Sequence, residues 1–236
     1  MRKQRVAIIG GSSGIGLRVA ERAIDLGAEV IIGGRDPERL QRAGVKLGPA
    51  SRAIAVDNVD QESLRLFFEQ SGPINHLFTP GASYARGRMD QASDEVAESS
   101  FRSKFWGQYY AVKHALPYLD KNGSITLMAG AYSVRPAAEG AAYGACNAAI
   151  EGLGRALAVE LAPIRVNVIS PGTIDSDLWR RQPDAIREAS FSSYGEAALL
   201  KRVGTTDEVA HTVIYLMENG FMNGSTLYPD GGFALR

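Results

Sequence analysis

The most constraining feature of the chain is a glycine cluster, Gly10-Gly11-Ser12-Ser13-Gly14-Ile15-Gly16, set between two segments of different periodicity. Residues 6–9, all apolar, read as a short buried strand. After the cluster, Ile15, Val19 and Ala23 recur at helical spacing with Ala20 and Ile24, and Gly27 marks the end of that helix. A strand that turns through glycines into an amphipathic helix leaves unpaired N–H groups at the helix N-terminus, and the missing side chains let a phosphate approach them. The expectation is a dinucleotide site built by Gly10, Ser12, Ser13, Gly14, Ile15 and Gly16. The competing reading is a plain strand-to-helix turn, which does not require so many glycines.

The same alternation continues along the chain. Strands are predicted at residues 30–32, 53–56, 76–79, 124–128, 165–169 and 225–228. Helices are predicted from Asp36-Pro37, over about 60–69, 93–119 and 142–161, and from Thr206-Asp207 through Leu216. Alternating strands and helices predict an α/β fold, a parallel sheet covered by helices on both faces. The 236 residues suit one such domain, spanning 1–236, with no linker, repeat or low-complexity tract. The least regular stretch, about 175–203, carries Trp179, Phe191 and Tyr194 among charged residues and reads as a lid over a substrate pocket.

Strand two ends Gly33-Gly34-Arg35, with no carboxylate where one would hold the ribose 2′-hydroxyl of NAD. Arg35 with Ser12 or Ser13 suits the 2′-phosphate of NADP, and Asp36 is explained as a helix cap. The alternative for Arg35 is a solvated surface side chain. Lys plus Arg equals Asp plus Glu at 26 each, which gives no electrostatic ground for nucleic acid or an anionic membrane as partner. No apolar run is long enough to span a bilayer, and the short basic start does not read as a signal sequence. The single cysteine, Cys146, excludes an internal disulfide and fits a reducing, cytoplasmic compartment. Its setting reads as packing rather than nucleophilic. His76, His114 and His211 have no partner at metal-ligand spacing, so no metal is expected.

Several motifs in order resemble the short-chain dehydrogenase/reductase family over nearly the whole chain. Gly10-x-x-x-Gly14-Ile15-Gly16 is similar to its cofactor turn and Asp57-Asn58 to the pair that meets adenine, while Thr79-Pro80-Gly81-Ala82 stands where the family has Asn-Asn-Ala-Gly after strand four. Ile164-Arg165-Val166-Asn167 with Pro171-Gly172 matches the strand-six block, and Asp230-Gly231-Gly232 matches the C-terminal signature. The resemblance implies a doubly wound (Rossmann) sheet of seven strands in order 3-2-1-4-5-6-7. It also implies a homodimer or homotetramer, and cofactor contacts from Asp57, Asn58, Gly81, Pro171, Gly172, Ile174 and Ser176.

Where the family has an Asn-Ser-Tyr-Lys tetrad, this chain departs from it. The Tyr-x-x-x-Lys segment reads Tyr143-Gly-Ala-Cys-Asn147, the serine position is Gly130, and the position of the family's asparagine is Lys104. A free tyrosine titrates near pH ~10 and needs a cation to become a useful base. A unit charge ~4 Å away at an effective dielectric of ~20 is worth about 4 kcal/mol, roughly three pKa units. Asn147 cannot supply that charge. Lys104 can, if its ammonium reaches the place of the missing lysine; otherwise it is a surface side chain on the long helix. The catalytic set expected is Tyr143, Lys104 and Asn147, and Ser83, Tyr132 or Ser133 stand as candidates for the lost serine hydroxyl. The expected function is an NADP(H)-dependent oxidoreductase acting on a carbonyl or alcohol of a small molecule. The alternative is a nucleotide-binding protein of this fold with little or no turnover.

Overall fold

A computed structural model describes residues Met1–Leu235. Six long strands alternate with helices in the predicted sequence. They are β1 (Arg5–Ile9), α1 (Gly14–Asp25), β2 (Glu29–Gly34), α2 (Pro37–Leu47), β3 (Ser51–Ala55), α3 (Gln61–Ser71), β4 (Ile74–Thr79), α4 (Asp94–Ser100) and α5 (Gly107–Ala115), then β5 (Leu119–Met128), α6 (Ala141–Glu160) and β6 (Arg165–Ile169). The chain closes with β7 (Ile174–Asp175), α7 (Asp177–Arg180), α8 (Asp184–Ala197), β8 (Gly204–Thr205), α9 (Thr206–Glu218) and β9 (Thr226–Leu227). The main sheet is seven-stranded and parallel, in order β3-β2-β1-β4-β5-β6-β9. Its last member is the strand counted as seventh in the sequence, because β7 and β8 form a separate two-stranded pair.

Both faces of the sheet are buried, which is why its strands are runs of Ile, Val and Leu rather than alternating patterns. One core lies under α3, α5 and α6 and packs Leu64, Phe67, Phe68, Ile125 and Ile150. The other lies under α1, α2 and α9 and packs Val19, Leu40, Val213 and Leu216. The helix starts are chemically specified. Asp36 accepts from Arg39 N, Asp60 from Glu62 N and Ser63 N, and Thr205 forms a capping box with Glu208. At the end of α9, Arg165 from β6 donates to the carbonyls of Leu216 and Met217 (2.7 and 2.8 Å), meeting acceptors the helix leaves unpaired.

Three boundaries differ from the periodicity. The helix expected over 93–119 is interrupted by a π-helical segment, Phe101–Trp106, and ends in a 3-10 turn, Leu116–Tyr118. β5 starts at Leu119, not 124, because Leu119 pairs with Ile74 across a bulge. The stretch 175–203 is not irregular; it holds α7 and α8, whose polar exposed faces hid their helical pattern.

β1 pairs with β2 on one side and β4 on the other, and the connections leave β1 in opposite directions there. The carboxyl ends of β1 and β4 therefore open into a crevice, the place where sheets of this type hold ligands.

Candidate active site

A groove of about 930 Å³ runs across that crevice. It is lined by Gly10, Ser12, Ser13, Gly14, Ile15, Gly16, Arg35, Asn58, Gly81, Lys104, Tyr143, Pro171, Gly172, Ile174 and Ser176. Asp57 and Asn147 do not line it. Asp57 uses its carboxylate on Val59 N (3.2 Å), while Asn58 donates to the carbonyls of Gly81 and Ser103 and ties the groove wall to the π-helical segment.

The glycines are needed for close approach. A Cβ on Gly10 would stand 2.6 Å from the Gly81 backbone, and Gly10 sits at φ +100. The result is an open N-terminus on α1. Ser13, its cap residue, makes no side-chain capping bond. The Gly14 N–H instead donates to Asp177 Oδ2 from α7 at 2.8 Å. A carboxylate thus lies where the helix dipole favours an anion, and the cradle fits a pyrophosphate. At the far end, Arg35 meets no acid at the end of β2, and Arg39 joins it on the groove wall. Arg42, Lys46, Arg180 and Arg181 line an adjoining hollow of about 380 Å³, so this rim is basic.

The reaction end is organised by the π-helical turn. Lys104 is 3 % exposed, and its Nζ donates to Ala129 O (2.8 Å) and to Asn147 Oδ1 (2.6 Å). Asn147 in turn donates to Tyr143 O (3.0 Å). The ammonium lies 4.9 Å from the centroid of the Tyr143 ring. Lysine and asparagine therefore meet, from exchanged positions, beside the tyrosine. Burial lowers the Lys104 pKa. Burial also raises the Tyr143 pKa, against the opposing pull of hydrogen bonds from Tyr84 and Asn147. The thiol of Cys146 is buried, pushed up to about 11 by that burial, and donates to Ser100 O, as a packing residue would.

Two of the three candidates for the lost serine hydroxyl are engaged elsewhere. Ser133 donates to Glu151 (2.5 Å), a carboxylate that also accepts from Ser170 and Tyr228. Tyr132 shares its hydroxyl with Tyr194 (2.8 Å) and accepts from Arg86 (3.2 Å). Ser83, the third, lines the groove and is exposed; its backbone, not its hydroxyl, bonds Ser103. The hydroxyl that does reach Tyr143 belongs to Tyr84, which the sequence reading passed over. Tyr84 donates to the Tyr143 hydroxyl at 3.0 Å, and the two rings stack at 4.4 Å.

Fold and groove together define a dinucleotide-binding α/β protein. A family model described as enoyl-(acyl carrier protein) reductase matches residues 9–234. A short-chain dehydrogenase/reductase of Acremonium sp, ucsE, is 31% identical, with 98% of this chain and 96% of that protein covered. A dehydrogenase/reductase SDR family member 4 of Caenorhabditis elegans is 34% identical over 98% of this chain and 96% of its own length. A crystal structure of a small-chain dehydrogenase in complex with NADPH superposes with a TM-score of 0.85 at 32% identity, covering 99% of this chain and 100% of that one. The chain belongs to the short-chain dehydrogenase/reductase family, a family of nicotinamide-dependent oxidoreductases.

Proposed function

We propose that the protein is an NADP(H)-dependent oxidoreductase that moves a hydride between nicotinamide and the carbonyl or alcohol carbon of a small organic substrate. The observation that carries this reading is the buried Lys104 ammonium held against Tyr143 on the floor of a dinucleotide-sized groove. The N-terminus of α1 and the Gly10–Gly81 approach receive the pyrophosphate, and Arg35 with Ser12 receives the 2′-phosphate. The NADPH held by the 32% identical dehydrogenase supports the same choice.

When bound, NADPH supplies the hydride. Tyr143 donates its proton to the carbonyl oxygen, and its raised pKa keeps that proton in place until then. Lys104, its ammonium 4.9 Å from the Tyr143 ring centroid, stabilises the tyrosinate left behind. Asn147 does not face the groove and acts by orienting Lys104. α7 and α8 form the lid, tied to the body through Tyr194–Tyr132 and Asp177–Gly14.

An exposed aromatic face supports assembly into an oligomer. Phe101, Phe105, Trp106, Tyr109 and Tyr110 form a chain of ring contacts along the π-helical segment and α5, and Trp106 and Tyr109 remain exposed. A twofold homodimer or homotetramer built on α5 and α6 covers this face. The cytoplasm is the compartment that suits the single free thiol. No described helix is long and apolar enough to cross a membrane.

A panel of ketones, aldehydes and alcohols assayed with NADPH and NADP+, following nicotinamide absorbance, tests the reading. Turnover supports it. Tight NADPH binding with no turnover on any carbonyl class would favour a binding protein of the same fold.

A further inference from the structure

We propose that Tyr84 is a catalytic residue: its hydroxyl donates to the substrate carbonyl oxygen and replaces the serine hydroxyl absent at Gly130. The inference rests on the carbonyl-reducing reading above. It begins with a vacancy in side-chain chemistry. A Cβ built on Gly130 would stand 3.4 Å from the Tyr143 hydroxyl and 3.4 Å from Asn147 Oδ1, so a side chain there would aim at the reacting position. Gly130 offers nothing, and Ser133 and Tyr132 are committed to Glu151 and Tyr194.

Tyr84 enters from the loop after β4. Its oxygen lies 3.0 Å from that of Tyr143. Two hydroxyl oxygens at that spacing share a third position within ~2.8 Å of both, which is hydrogen-bond distance for a carbonyl oxygen accepting from each. Both residues line the groove, so that position is open to substrate. During reduction the carbonyl carbon takes the hydride that NADPH supplies, and the carbon–oxygen π bond breaks. The oxygen takes the Tyr143 proton while Tyr84 keeps its own and stabilises the developing charge. Keeping the proton is what the surroundings of Tyr84 enforce: burial, then the neighbouring Tyr143, raises its pKa above the ordinary tyrosine value. Ring stacking and the Lys104 ammonium 5.8 Å from the ring centroid fix its orientation.

The experiment compares wild type with Tyr84→Phe, Gly130→Ser and the double variant. NADPH fluorescence and thermal melting report cofactor binding and folding. Tyr84→Phe should cut kcat by ~10²–10³, the effect of losing one donor to a developing oxyanion, with NADPH binding unchanged. The double variant should recover at least tenfold of that loss, because the serine restores a donor at the same point. Tyrosine absorbance across the alkaline range gives a readout independent of turnover: Tyr143 should ionise at higher pH in Tyr84→Phe, since the donor to its phenolate is gone. Unchanged kcat in Tyr84→Phe, no recovery in the double variant, or an unmoved Tyr143 titration would overturn the assignment. Wild type that binds NADPH yet turns over no carbonyl would overturn the reductase reading instead, and the titration would still decide whether Tyr84 governs Tyr143.

A second, independent observation is charge. At the substrate end of the groove, Arg86 forms no ion pair among the described residues; its guanidinium meets the hydroxyls of Tyr132 and Tyr194 and the face of the Tyr132 ring. We infer that the substrate carries a carboxylate beside its reducible carbonyl, an oxo acid, which Arg86 binds through charge-assisted bonds. Kinetics with an oxo acid and its methyl ester test this. KM should favour the acid by ~10-fold or more, and Arg86→Gln should erase the preference with the ester unaffected. Equal KM values in wild type, or a variant that weakens both alike, would overturn it.

Discussion

At one end of the groove, Gly10, Gly16 and Gly81 bring backbone against backbone and leave the α1 N-terminus facing the crevice. At the other end, Lys104, Asn147, Gly130 and Tyr84 hold positions and chemistry that depart from the family's tetrad. The difference is physical. Binding a pyrophosphate depends on main-chain N–H groups and on the absence of side chains, so few sequences satisfy it. A cation and a hydroxyl near a tyrosine depend on where two polar tips arrive, and several stems reach the same point. On the proposed reading, a long lysine from the π-helical segment, bonded to Asn147, serves in place of a lysine on α6, and a loop tyrosine beside Tyr143 serves in place of a small serine.

The sharpest break of this comparison targets the reaction end. Tyr143→Phe and Lys104→Ala should each cut turnover by ~10²–10⁴ while NADPH binding persists. The double variant should be little worse than either alone, because residues acting as a unit are not additive. Lys104→Asn combined with Asn147→Lys should retain more activity than Lys104→Asn alone. Steady-state kinetics on the five variants decide the matter, and unchanged turnover in Lys104→Ala would leave the exchanged pair without a catalytic role.

Acid inactivation needs a control, because the next largest effect lies away from both ends. His76 is buried at the side of β4 remote from the groove, with Nδ1 2.8 Å from Ser124 Oγ and Nε2 3.2 Å from Gln4 Oε1. Burial first, then the Arg165 charge, lowers its pKa to about 4. A neutral histidine in the folded state and a titrating one in the unfolded state mean that stability is full above the unfolded value of ~6.5. It is then lost as pH falls from there to about 4, by about 3 kcal/mol in total. Urea unfolding across this range should show the loss in wild type and a smaller one in His76→Gln.

Smaller effects sharpen the cofactor end. Arg35→Ala should reduce the preference for NADPH over NADH by ~10-fold, since one charge-assisted phosphate bond is worth about 1.5–3 kcal/mol. Equal dissociation constants in wild type would remove Arg35 from the assignment. Asp177→Asn should tighten NADPH binding by ~2- to 5-fold, because the Gly14 N–H would no longer be held by a carboxylate that the pyrophosphate must displace, a surface helix-terminus effect of about 0.3–1 kcal/mol.

Much of this was legible in the sequence. The alternation of strands and helices, the glycine cradle and the meeting of Lys104 with Asn147 rest on local patterns and on which helices are neighbours, whereas the strand order came from the family resemblance. What stayed hidden depends on three-dimensional placement. Tyr84 sits in a loop with no periodicity, and only the vacancy at Gly130 hinted that some other donor was required. Asp177 looked like one more charge in a polar stretch, because nothing in its neighbours shows that it reaches across to Gly14. Ser133 looked available because its partner, Glu151, lies 18 residues further along.

The π-helical segment has a wider consequence. It accommodates more residues per turn than an α-helix, so the side chains after it are rotated relative to those before it. Within one rigid rod, Lys104 faces inward to the groove while Trp106, two residues on, and Tyr109 face outward. Deleting a single residue from Phe101–Trp106 would regularise the helix and swing one of these sets away from its target. The groove-facing lysine and the outward aromatic face therefore depend on the same stretch. One turn sets the direction of both, so a change that moves the outer aromatic rings also moves the ammonium that faces the groove.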